Sequence, residues 1–151
     1  MVRVMATGVF DILHLGHLYF LQEAKKLGDE LVVVVATDKT ARRLKHIPIT
    51  AQEMRVEMVA GLKPVDTAVL GYEDDRYQIV RELKPDIIAL GFDQKHDEEQ
   101  IKSDLKKMGM EVKVVRLEPF EHDLDGTRKV IRKVIDWYIF QSRMKEIEGK
   151  D

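Results

Sequence analysis

Val2-Arg3-Val4-Met5-Ala6-Thr7-Gly8-Val9-Phe10-Asp11-Ile12-Leu13-His14-Leu15-Gly16-His17 opens with a short apolar run rich in β-branched residues that breaks at Gly8. A helical pattern begins a few residues later, so the stretch reads as a strand, a tight loop and a helix N-terminus. Such a junction binds anions: glycine allows a close backbone approach, and the first helical turn presents unpaired N–H groups at the positive end of the helix dipole. His14 and His17, three residues apart, fall on one side of that helix start. Imidazoles there can donate hydrogen bonds to phosphate oxygens and, when protonated, offset the charge that develops as a phosphate bond breaks.

Working outward, the first helix carries Phe20, Leu21, Ala24 and Leu27 on one face, with Gly28 as its expected stop. Leu31 to Ala36 is apolar without alternation, the mark of a strand covered on both faces. Residues 66–70, 86–90 and 112–115 repeat that character. Helical segments separate them: one opened by a capping box at Thr50-Ala51-Gln52-Glu53 and running to about Leu62, one over 77–83 and one over 97–108. The alternation implies a single α/β, Rossmann-like, doubly wound domain over residues 1–151. It predicts five parallel strands with helices on both faces and a ligand site beyond the carboxyl ends of the strands. A last helix over about 127–144 places Val130, Val134, Trp137 and Ile131, Ile135, Tyr138 at helical spacing, read as a packed face. Trp137 and Phe140 leave open a contact between two copies.

The chain has 151 residues, a formal net charge of −2 and no cysteine. The first suits one core, the second argues against a nucleic-acid or membrane surface as main partner, and the third excludes disulfides and thiolate metal sites. Without a leader pattern or a long apolar run, the expected location is the cytoplasm. A further expectation comes from the start of the last helix, where Arg128 and Lys129, then Arg132 and Lys133, oppose the dipole. That placement makes sense if an anion binds there.

Thr7-Gly8-Val9-Phe10-Asp11 with His14-Leu15-Gly16-His17 resembles the G-T-F-D-x-x-H-x-G-H signature of the cytidylyltransferase-like nucleotidyltransferases, with Val9 in place of the usual Thr. The resemblance implies transfer of a nucleoside monophosphate from a triphosphate to a phosphate acceptor, with release of pyrophosphate. It casts His14, His17, Lys45 and Arg128 as catalytic. Thr7, Gly8, Val9, Phe10, Asp11 and Gly16 would line the nucleotide site. Gly91, Asp93 and Gln94 would meet the nucleoside, and Thr127 is the one match to the hydroxyl segment that holds phosphates in the family. Asp38, Arg55, Phe92 and Phe120 are the acceptor candidates, with Arg55 alternatively pairing at the surface with Glu53 or Glu57.

Leu90-Gly91-Phe92-Asp93-Gln94 is closer to the archaeal FAD synthase branch than to the glycerol-3-phosphate cytidylyltransferases, which favours ATP and FMN. CTP with glycerol 3-phosphate or a sugar phosphate is the alternative, and a non-catalytic nucleotide-binding module is the alternative of another class. Mg²⁺ is expected to arrive with the nucleotide, with Asp11 as a possible aid and no metal site built by the protein alone. A homodimer is the expected assembly.

Overall fold

Five strands, β1 (Arg3–Gly8), β2 (Glu30–Val35), β3 (Thr67–Leu70), β4 (Ile87–Leu90) and β5 (Lys113–Arg116), form a parallel sheet in the order β3-β2-β1-β4-β5. The structure, a computed structural model, describes residues 1–94, 96–120 and 126–149. Its helices are α1 (Leu15–Lys25), α2 (Asp38–Arg43), α3 (Gln52–Ala60), α4 (Gln78–Leu83), α5 (Glu98–Lys107) and α6 (Thr127–Glu148).

The unbroken apolar run of β2 is explained by two cores. On one face Leu31, Val33 and Val35 join Val4 and Ala6 of β1, Leu21 and Ala24 of α1 and Val59 of α3. On the other, Val34 and Met5 join Ile88 and Leu90 of β4, with Ile79 and Val80 of α4 and Ile101 and Leu105 of α5. Successive residues of one strand therefore feed opposite layers, and each layer requires an apolar side chain.

This division also fixes the crevice. The chain proceeds from β1 through β2 to β3 with α1 and α3 on one face, then returns to β4 on the other side of β1. The order reverses between β1 and β4, and ligands in doubly wound sheets bind at such a switch point beyond the strand carboxyl ends. Residues 8–17 leave β1 there, beside residues 91–94 leaving β4.

Several local expectations are corrected. Gly28 does not supply a left-handed helix stop, since α1 ends at Lys25 with Lys26 as a right-handed cap. A Cβ at Gly28 would instead lie 2.8 Å from the Val2 carbonyl oxygen and from Val4, so close packing against β1 demands the glycine. The capping box at 50–53 is not formed: Ala51 is the N-cap of α3 and makes no side-chain bond. α2, between the second strand and residue 44, is an additional element, capped by Thr37, whose side-chain oxygen accepts from the Thr40 N–H at 3.1 Å. The largest correction concerns α6, which extends to Glu148 and has no buried residue. Its apolar face is exposed and not packed into the core.

Candidate active site

His14 is the N-cap of α1, and its Nδ1 accepts from the Gly16 N–H at 3.0 Å. A nitrogen that accepts carries no proton, so the neutral His14 ring is protonated on Nε2, the remaining nitrogen able to donate. Protonating Nδ1 would break the cap. The His17 ring stacks on His14 with centroids 3.9 Å apart and a 28° tilt, and the Phe10 ring lies 5.4 Å from it at a 56° tilt. Burial pushes the His17 pKa down to about 3, reinforced by His14 and opposed by Asp11. His17 is thus neutral at neutral pH, and its Nδ1 is buried without a hydrogen-bond partner among the described residues. Unsatisfied buried polar atoms are few in native proteins, and functional sites tolerate their cost of about 1–3 kcal/mol.

Gly8 serves this pair indirectly. A Cβ there would lie 2.8 Å from the Phe10 ring, and Phe10 itself has a φ of 53°, unusual for a bulky side chain. The glycine expected to admit a ligand therefore admits Phe10, which is 4% exposed and packs beside His17. Thr7 is the penultimate residue of β1, before Gly8, and Val9 contributes its carbonyl to the network below.

Asp11 and Arg55 tie the opening loop to the segment before α3. The Asp11 carboxylate accepts from the Ile49 N–H at 2.8 Å, the Thr50 N–H at 3.1 Å and the Thr50 hydroxyl at 2.7 Å. Burial raises its pKa, but these bonds outweigh that and hold it below the ordinary carboxylate value. Arg55 is 1% exposed. It donates to the carbonyls of Thr50, Val9 and Ala36 and pairs with Asp38 at 2.7 Å. Neither Glu53 nor Glu57 is its partner, which corrects the surface-pair alternative. Four internal acceptors, the Asp38 carboxylate among them, occupy the guanidinium, so the two residues expected at the acceptor site hold the loops together. A flat, forked cation has five N–H donors to spread over these four acceptors, whereas a lysine ammonium has three.

On the other side of the crevice, Gln94 bridges β4 and β1. Its side-chain oxygen accepts from the Gly91 N–H at 2.8 Å and its amide donates to the Thr7 carbonyl at 2.7 Å. Arg116, at the end of β5, donates to the carbonyls of Gly91, Gln94 and His96 at 2.7–2.8 Å and pairs with Glu98. Sequence reasoning missed Arg116, although an arginine closing the apolar Val114-Val115 run at a strand carboxyl end was a usable signal. Phe92 is 54% exposed beside this clamp, and Asp93 is exposed as well. Phe120 stacks on Tyr19 of α1 with centroids 4.9 Å apart.

The cationic candidates are exposed. Lys45 is exposed in the turn after α2, with a φ of 63°. Thr127 and Arg128 open α6 behind Gly126, an N-cap that makes no side-chain bond. Asp125, of a residue type favoured at helix N-caps, lies outside the described residues. Gly16 lies within the first turn of α1, where its N–H donates to His14 Nδ1. Among the described residues no three His, Cys, Asp or Glu side chains cluster as metal ligands, and both Asp11 oxygens already accept hydrogen bonds.

Residues 5–147 match the model of the cytidylyltransferase-like family. The chain is 57% identical to an FAD synthase of Aciduliprofundum boonei across 100% of its own length and 98% of the relative's. With an FAD synthase of Archaeoglobus profundus it shares 50% identity over 98% of its length and 94% of that relative's. A crystal structure from Thermoplasma volcanium, described as a lipopolysaccharide core biosynthesis protein, superimposes with a TM-score of 0.79 at 56% identity. It covers 80% of this chain and 99% of its own.

Proposed function

The chain belongs to the cytidylyltransferase-like family, and from that premise we propose that it is an FMN adenylyltransferase, making FAD and pyrophosphate from ATP and FMN. Full-length identity to archaeal FAD synthases favours this reaction over CTP with glycerol 3-phosphate. The observation that supports the catalytic half is the stacked His14–His17 pair at the N-terminus of α1, in the segment that follows the carboxyl end of β1.

In the proposed reaction a phosphate oxygen of FMN attacks the α-phosphorus of ATP in line. The bond from that phosphorus to the bridging oxygen breaks, and pyrophosphate departs with the electron pair. Such chemistry asks for positioning and charge stabilisation, with no covalent intermediate on the protein. His14, fixed as an Nε2–H donor, and His17 would receive the α-phosphate and the departing pyrophosphate. The first-turn N–H groups of α1 would add their dipole. Lys45, Thr127 and Arg128 would attend the triphosphate, and Gly91 and Asp93 the nucleoside. Phe92 offers the exposed aromatic surface that an isoalloxazine ring needs.

Asp11, Asp38, Arg55 and Gln94 take a different part, holding the two loops at the spacing that binding demands. A divalent ion would travel with the triphosphate, keeping phosphate oxygens and water as ligands. We further propose a cytoplasmic homodimer. The described residues contain no helix long and apolar enough to cross a membrane.

The test incubates the protein with Mg²⁺, ATP and FMN and follows FAD and pyrophosphate together. Stoichiometric formation of both supports the reading. Pyrophosphate released only from CTP with glycerol 3-phosphate would replace the substrates, and binding of ATP without turnover of any acceptor would favour a nucleotide-binding module.

A further inference from the structure

α6 is 22 residues long and buries none of them, although its middle is among the most apolar parts of the chain. Val134, Ile135, Trp137, Tyr138, Ile139 and Phe140 are all exposed, Trp137 by 60% and Tyr138 by 67%, and Met144 and Ile147 extend the surface toward the C-terminal end. Val130, Val134, Trp137 and Met144 recur at heptad spacing. Phe140 and Ile147 flank them on one side and Ile131, Ile135 and Tyr138 on the other. A stripe this wide is that of a helix covered by protein. The eight exposed large side chains offer on the order of 800 Å², beyond the usual largest patch on a monomer and near what each partner gives to a standard interface.

The charges indicate what covers it. The first two turns hold Arg128, Lys129, Arg132 and Lys133 without an acid, whereas Asp136 lies in the middle and the far end balances Arg143 and Lys145 with Glu146 and Glu148. Two α6 helices side by side in parallel would bring eight cations together. In antiparallel arrangement the two basic ends are kept apart, each meeting the charge-balanced end of the other where Glu146 and Glu148 lie, and the helix dipoles oppose. A register with Val134 opposite the second copy's Met144 sets Trp137 across from Gln141 and Arg132 across from Glu146. A membrane surface suits the helix less well, because apolar residues spread far around it between 134 and 140 and acids punctuate it.

We infer that α6 is the dimerisation element, pairing antiparallel with α6 of a second copy of this chain through the Val134–Trp137–Phe140–Met144 stripe. This rests on the homodimer proposed above and names its contact. The pairing is independent of the reaction assigned to the crevice.

The sequence supplies its own probes: Trp137 is the single tryptophan and there is no cysteine. Sedimentation of the full chain across a dilution series should show a dimer whose dissociation red-shifts tryptophan emission. Phe140→Glu should give a monomer that retains its circular dichroism from the α/β body. Single variants Val134→Cys and Met144→Cys, oxidised separately, should stay uncrosslinked, and oxidised as a mixture should give the heterodimer. Ten residues along a helix span about 15 Å, whereas a disulfide needs Cα atoms within about 7 Å.

Self-crosslinking of Val134→Cys would mean parallel pairing and overturn the inference. So would a dimer that survives Phe140→Glu without α6 crosslinks, which would keep the homodimer but place it on another face. A monomer at every concentration would overturn both, whether its tryptophan emission is red, blue from folding back on the body, or blue only with phosphatidylcholine–phosphatidylglycerol vesicles.

Discussion

His17 carries its role and its cost in the same ring. Proposed to meet charge that grows in the transition state, it should matter more to turnover than to binding. His17→Ala is expected to lower kcat by about 10²-fold or more with a smaller change in ATP affinity. Wild-type kcat with intact ATP binding would remove His17 from the mechanism. Burial makes a second prediction. The folded pKa of about 3 lies below the ordinary 6.5, so the unfolded chain binds a proton that the native one refuses. The stability tied to neutral His17 is therefore present above about pH 6.5 and is lost progressively as pH falls toward 3, by at most about 1.4 kcal/mol per pH unit. Between pH 4.5 and 6, denaturant melts of His17→Gln should show a shallower loss than wild type. Equal slopes would mean that His17 charges freely in the fold. Asp11, whose lowered pKa acts below that window, leaves the comparison undisturbed.

At the scale of elements, the site is two loops held by buried polar clamps. Arg55 joins the loop after β1, the end of β2 and the entry to α3 through three carbonyls and Asp38. Arg55→Met strands those acceptors, and breaking a buried pair of this kind costs about 3–5 kcal/mol. Urea unfolding is the measurement, and a loss under 1 kcal/mol would contradict the clamp. α6 poses the opposite case. If Arg128 attends a triphosphate, Arg128→Ala should weaken ATP binding while apo stability is unchanged or raised, because a charge opposing the helix dipole is removed. Lower apo stability with unchanged affinity would make Arg128 a structural residue.

For the whole molecule, ligands that bind only the native state should stabilise it by mass action. ATP at one hundred times its Kd is worth about 2.7 kcal/mol, or roughly 5–10 °C in Tm for a chain of this size. FMN should add to that shift, and CTP at equal concentration should give less. A larger shift with CTP and none with FMN would reverse the substrate assignment. Much of this architecture was legible beforehand. The uninterrupted Val32-Val33-Val34-Val35 run required cover on both faces, and Gly, Phe, Asp and two spaced histidines marked the strand–turn–helix junction proposed to bind the phosphates, because strand periodicity and helix-terminus chemistry are local properties. Three matters were decided only in three dimensions. Gly8 was claimed by the Phe10 ring and Arg55 by carbonyls from three separate segments, while α6 found no place in the core. Each depends on partners distant in sequence: spacing shows which side chains share a face, but what that face meets is set by tertiary packing.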